Sequence, residues 1–279
     1  SVRKLFIDSR FAVSGNFSSF EYELPEVVEL PHDAVAFVTE FTSVCSWDTV
    51  SPNNNRIYIV ENTGSLYSAR IATMATGAYD SETLRSAVEL ALNSGKTVAG
   101  TYSVVRSSSA GTVSSASLGS AYRYFSIGLN GGGSCFFPQD AWLRKNVNIW
   151  SSYVGAPYDP QNLRSSNELF QFPLGIVSAS HTSSFIDLRS VHTLFVHSPS
   201  FGNYSTLAPR GVRTVIQKVP VEVGYGAVLH TEHSGSSYDH IDVGSTTLKM
   251  LKFELRDARG NLVDLKGGEW SMTIVFARK

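Results

Sequence analysis

The sequence alternates between apolar and charged residues at LKFELR, residues 251–256, and between large and smaller side chains at WSMTIVF, residues 270–276. Because successive side chains of a β-strand point to opposite faces, this period of two places one set inward and the other outward. Polar DARGN, residues 257–261, and the pair Gly267-Gly268 are predicted to be turns. We therefore predict two half-buried antiparallel strands, with seven side chains facing the core: Leu251, Phe253, Leu255, Trp270, Met272, Ile274 and Phe276.

Runs of β-branched and aromatic residues recur earlier in the chain, at residues 35–41, 57–60, 194–196 and 212–223. Clusters of Gly, Pro, Asn and Ser separate these runs, as they commonly separate β-strands. Pro220 lies within the last run, and because proline lacks an amide proton it predicts an edge strand or a bulge. Many short strands joined by long loops predict an all-β fold, an antiparallel sandwich or barrel.

One segment follows a helical period instead. Asp80 is suited to cap a helix, and Glu82 places a carboxylate in the first turn, where the helix dipole favours it. Gly95 is suited to the left-handed conformation that ends many helices. Between these signals, apolar residues recur at helical spacing: Leu84, Ala87, Val88, Ala91 and Leu92. Ser81–Asn93 is therefore predicted to be an amphipathic helix inserted between strands.

The domain organisation is only weakly marked in the sequence. No strong boundary divides the chain, so residues 1–279 are interpreted as a single sandwich module. Residues from about 61 to about 165 are a possible insertion within it, whose edges the sequence does not define. Two segments are predicted to be exposed loop tips: Ser107–Ser120, which is almost entirely Ser, Ala, Gly and Thr, and Gly131–Gly133. Neither segment has enough apolar surface to pack stably against the rest of the protein.

The composition is that of a globular protein with few charges. Hydrophobic residues make up 42% of the 279 residues, charged residues make up 17%, and the net charge is −1. A charge-poor surface favours partial coverage by a partner, because ions are costly to desolvate. The basic residues are dispersed, so we expect no specific nucleic-acid partner. No apolar run approaches the ~18 residues of a membrane span, and the polar amino terminus shows no signal peptide.

The sequence lacks the common motifs of nucleotide binding and hydrolysis: the P-loop, the dinucleotide fingerprint, the G-x-S-x-G elbow and H-E-x-x-H. Cys45 and Cys135 lie far apart without zinc-site spacing, which favours buried free thiols. In an extended strand, the spacing of His230 and His233 sends their side chains to opposite faces. A polar hairpin is therefore favoured over a metal site for the densest group of possible ligands, which is His230, Glu232, His233, Asp239, His240 and Asp242. We expect no catalytic residue, no cofactor and no bound metal.

Short motifs occur in a defined order at both ends of the chain. At the amino end they are LFIDSR (5–10), FEYEL (20–24), VELP (28–31), WDTV (47–50), NNNRIY (53–58), GAY (77–79) and LALN (90–93). At the carboxyl end they are FELRD (253–257), GNLVDL (260–265) and WSMTIVF (270–276). In these motifs and their order, the chain resembles the minor capsid (penton) proteins of the Polinton, adintovirus and virophage group of double jelly-roll DNA viruses. The resemblance covers about residues 5–93 and 185–276.

The resemblance implies a single jelly roll without enzymatic activity. Such a subunit forms homopentamers at fivefold vertices and contacts the major capsid protein, so the chain would lie in the virion after assembly in the host cell. Two other functions stay open at this point: a non-vertex minor capsid protein that cements capsomers, and a β-sandwich carbohydrate-binding module. A secreted β-rich hydrolase would need two converging carboxylates, one of them with a raised pKa.

Overall fold

The computed structural model describes residues 3–107, 124–148, 150, 163–172, 177–183, 186–201, 207–208, 211–233 and 239–279. The chain divides into two compact units, the terminal unit (Ser1–Trp47 with Val191–Lys279) and the inserted unit (Asp48–Ser190). The inserted unit begins before and ends after the segment of about 61–165 that the sequence indicated, and the interpretation of 1–279 as one module stays a prediction. The predicted loop over residues 107–120 lies, beyond Ser107, outside the described residues.

Two antiparallel sheets form the terminal unit. The first sheet has the order β1 (Arg3–Asp8), β16 (Trp270–Arg278), β4 (Ala34–Val44) and β13 (Val228–Glu232), and β14 (Ile241–Asp242) also pairs with β4. The second sheet has the order β12 (Val215–Pro220), β11 (Thr193–His197), β15 (Thr247–Arg256), β3 (Ser19–Glu29) and β2 (Ser14–Asn16). Pro220 ends an edge strand of the second sheet, as its missing amide proton predicted.

The order of these strands is that of a jelly roll. With β2 and β3 taken as one strand and β13 and β14 as another, the described terminal unit has eight strands in the orders 1-8-3-6 and 2-7-4-5. The first and last strands are neighbours, paired from Arg3 opposite Phe276 to Asp8 opposite Ser271. The inserted unit occupies the connection between β4 and β11. The predicted all-β, antiparallel jelly-roll sandwich is confirmed.

An aromatic cluster joins the two sheets of the terminal unit. The ring of Trp270 lies 5.5 Å from that of Phe41 in the first sheet, and 5.4 and 6.5 Å from those of Phe20 and Phe253 in the second. All four side chains are buried, and aromatic pairs at such distances contribute about 0.5–1.5 kcal/mol each beyond the burial of their area. The indole N–H of Trp270 donates a hydrogen bond to the carbonyl of Phe17 (2.6 Å). All seven side chains predicted to face the core are buried. The predicted half-buried strand is confirmed for β15, whereas Thr273 and Val275 on the other face of β16 are buried too, so β16 is covered on both faces.

The inserted unit contains two smaller antiparallel sheets and its own hydrophobic core. One sheet has the order β6 (Tyr67–Thr73), β5 (Arg56–Asn62) and β9 (Ser134–Phe136). The other has the order β10 (Ser180–Thr182), β8 (Tyr124–Asn130) and β7 (Thr101–Ser107). Gly131–Gly133 forms the exposed turn between β8 and β9, and its three glycines all have positive φ angles, so the predicted loop is confirmed.

The predicted helix is confirmed as α1 (Ser81–Asn93). The Asp80 carboxylate accepts hydrogen bonds from the backbone N–H groups of Glu82 (2.9 Å) and Thr83 (2.8 Å), and the Thr83 hydroxyl completes the capping box. Two short helices, α2 (Asp140–Lys145) and α3 (Asn167–Phe170), have six and four residues, too few to show a helical period in the sequence. Within the described ranges, no helix is long and apolar enough to cross a membrane.

We expect Phe253→Ala to lower the free energy of unfolding of the terminal unit by about 3–5 kcal/mol, because it removes a buried ring from the contact between the sheets. Met250→Ala, in the same strand but 47% exposed, should lower it by less than about 1 kcal/mol. Urea denaturation followed by near-UV circular dichroism measures both changes. Equal losses for the two variants would contradict the central role of this cluster.

Candidate assembly surface

The histidines of the group at residues 230–242 contact separate partners. Nδ1 of His230, in β13, lies 2.8 Å from the Thr42 hydroxyl, while Nε2 of His233 lies 3.0 Å from the Gln217 side-chain amide. The ring of His240 stacks on Phe37, with ring centroids 4.9 Å apart. His230 and His233 are therefore not brought together as ligands of one metal ion.

The carboxylates of the same group are also dispersed. Asp242 accepts a hydrogen bond from the Lys279 ammonium (2.6 Å), and this contact lowers the pKa of Asp242. Glu232 lies 3.5 Å from the His230 ring. Across the part of the chain that the structure describes, no three His, Cys, Asp or Glu side chains are grouped so as to hold a metal ion.

The inserted unit contains a buried ion pair that the sequence did not reveal. Glu61, 0% exposed, accepts hydrogen bonds from Arg70 (2.8 Å) and from the Tyr102 hydroxyl (2.7 Å). Its other oxygen accepts bonds from the backbone N–H and the hydroxyl of Thr97 (2.7 and 2.6 Å). Arg70 also donates to the carbonyls of Leu92 and Ser94, which joins the end of α1 to the sheet.

The protonation of this network follows from its contacts. Burial by itself would raise the pKa of Glu61, but the hydrogen bonds from Arg70, Thr97 and Tyr102 outweigh it and the pKa is lowered. Burial raises the pKa of the neighbouring Tyr102 hydroxyl, and it raises that of the Cys135 thiol to about 11. Cys45 and Cys135 are both free and buried, as predicted. A fully enclosed carboxylate held by neutral and cationic donors organises the fold and is out of reach of a substrate.

A cavity of about 310 Å³ lies on the outer face of the second sheet. His197, Glu254 and Arg256 are among its lining residues; Nδ1 of His197 lies 3.0 Å from the Thr214 hydroxyl, and Glu254 pairs with Arg256 at 2.6 Å. Burial would raise the pKa of Glu254, but the bonds from Arg256 and Lys252 lower it overall. A lowered pKa is the opposite of what a general acid in a glycoside hydrolase needs.

The two edges of the first sheet differ in charge. We define the β1 flank as Arg3, Lys4 and Phe6. Lys4 and Phe6 are two residues apart in the same strand, so both point to the outer face, where Phe6 is 68% exposed. Arg3 is 3.8 Å from Glu26, whereas Lys4 makes no ion pair among the described residues. An apolar groove of about 460 Å³ runs beside this flank.

The opposite edge is acidic. We define the β13 flank as Glu40, Val228, His230 and Glu232. Glu232 of β13 lies directly opposite Glu40 of β4 in the sheet register, and His230 is near both, at 3.5 and 3.9 Å. Val228, on the same strand face as His230 and Glu232, is 57% exposed. The sheet therefore presents an exposed apolar side chain at each edge, beside a lysine at one and two glutamates at the other.

No protein-family model matches this sequence, and no curated protein sequence matches it. Among solved structures, the crystal structure of the mavirus penton protein is similar, with a TM-score of 0.52 over 100% of both chains and 10% sequence identity. At this identity the similarity is one of fold. The described fold is therefore similar to that of this viral penton protein.

Glu61→Gln should destabilise the inserted unit by about 3 kcal/mol at neutral pH, because the buried Arg70 loses its counter-charge. Since folding lowers the pKa of Glu61, its contribution is present above the ordinary glutamate pKa and is lost as the pH falls through the lowered value. The difference from the wild type should therefore shrink in acid. Thermal unfolding over a pH series measures it, with Glu82→Gln, a half-exposed surface glutamate, as the control. A difference that is the same at neutral and acid pH would contradict this account of the network.

Elemental analysis of purified protein should find no stoichiometric metal, because the described His, Cys, Asp and Glu side chains include no group of three that could hold a metal ion. One zinc ion per chain would overturn this expectation.

Proposed function

We propose that this chain is a structural protein of a viral capsid, a penton subunit that forms rings of five at fivefold vertices. The supporting observation is the jelly-roll strand order of the terminal unit, with a second unit inserted between β4 and β11, in a chain whose fold matches that of a penton protein from end to end. In this function the chain is not an enzyme. Its partners are its own copies and the surrounding major capsid protein, in a virion assembled within the host cell.

The geometry of the first sheet suits a ring. A closed ring of five requires a heterologous contact, in which two different surfaces of the subunit meet, because twofold contacts pair identical surfaces. The β1 and β13 flanks are different surfaces at opposite edges of one sheet. The rigid core behind them holds their side chains in a fixed register, which favours repeated and identical contacts around the ring.

A reconstruction of the assembled particle tests the proposal. The expected result is density for this chain around the fivefold axis, with each contact between neighbouring copies burying more than about 1,000 Å². Density at another position would contradict the penton assignment and favour a cementing minor capsid protein. Absence of the chain from particles would overturn both capsid functions, and binding to a glycan array would then favour the carbohydrate-binding module.

A further inference from the structure

The β13 flank carries an unbalanced negative charge. Glu40 and Glu232 occupy directly opposed positions on neighbouring strands, where like charges destabilise a sheet by up to about 1 kcal/mol. Both carboxylates are well exposed, and His230 is the group that lies between them. A cation supplied from outside the subunit would relieve this repulsion.

The β1 flank offers such a cation. Lys4 is exposed and has no ion-pair partner among the described residues, while the other cation of the flank, Arg3, lies near Glu26 of its own chain. Phe6, next but one to Lys4, exposes an aromatic ring on the same face. Val228 exposes an apolar side chain on the β13 flank, on the same strand face as His230 and Glu232. The two flanks are therefore complementary in both charge and hydrophobicity.

Both flanks are also strand edges. Within the described residues, β1 pairs with β16 alone and β13 with β4 alone, so each presents unpaired backbone groups on its outer side. Exposed edges of this kind promote association unless another element covers them. The lysine and glutamates beside these edges restrict association to edges of opposite charge, since like charges repel.

We propose that the β1 flank of one copy binds the β13 flank of the next copy, with Lys4 opposite Glu40 and Glu232 and with Phe6 packed against Val228. This inference rests on the proposed ring and names the surfaces that close it. Because the flanks are different and lie at opposite edges of one sheet, each copy contributes one of each, and the contact repeats head to tail.

Charge exchange tests the contact. Lys4→Glu and Glu232→Lys should each raise the concentration at which half of the full-length chain is assembled by about tenfold or more, because each places like charges across the interface. Combining both substitutions restores opposite charges and should recover most of the lost assembly. Lys218→Glu is the matched control, since Lys218 is an exposed lysine on the edge strand β12 of the second sheet. Native mass spectrometry and sedimentation velocity over a concentration series measure assembly, and circular dichroism verifies folding.

The outcomes separate this inference from the proposed function. Wild-type rings that both single variants leave unchanged would overturn the flank contact and leave the penton proposal standing. Single variants that weaken assembly without rescue in the double variant would overturn the pairing of Lys4 with Glu232. A wild-type chain that is monomeric at every concentration and absent from particles would overturn the ring and the flank contact together.

Discussion

The contact of Trp270 with Phe20, Phe41 and Phe253 is the interaction on which the terminal unit depends. Trp270 begins β16, the strand that lies between β1 and β4. The first sheet is therefore complete only when β16 is paired with both of these strands. Such pairings join distant parts of the chain, and pairings of this kind slow folding because the entropy of closing a long loop is lost before the contact forms. The inserted unit has a core of its own, which allows it to pack without residues of this cluster.

The aromatic core also determines which side chains face outward. Because side chains alternate along a strand, a slip of one residue in β4 or β13 would turn Glu40 or Glu232 inward. Phe41 is fully buried beside Glu40, and Leu229 is buried beside His230, so the packing of apolar residues fixes the register of the acidic flank. The proposed ring therefore depends on the core, although no core residue takes part in the contact between copies.

The periodic parts of the fold could be predicted from the sequence, and the parts set by long-range pairing could not. The alternation at residues 251–256 and the helical spacing after Asp80 report burial locally, so the core positions and α1 were predictable. Glu61 lies in the mostly apolar run IYIVEN. Its partners Arg70, Thr97 and Tyr102 come from other parts of the chain, so no local sequence pattern predicts the ion pair. The same holds for Glu40 and Glu232, which only the strand register brings together.

Carbodiimide cross-linking of a ring assembled from equal amounts of isotopically light and heavy chains tests the proposed assembly most directly, since this reagent joins a lysine to a carboxylate that it contacts. The proposed contact predicts that Lys4 is joined to Glu232 or Glu40, and that the linked peptides combine light and heavy isotopes because they come from different copies. Links from Lys4 only to carboxylates of its own chain, such as Glu26, would contradict a ring closed by these two flanks.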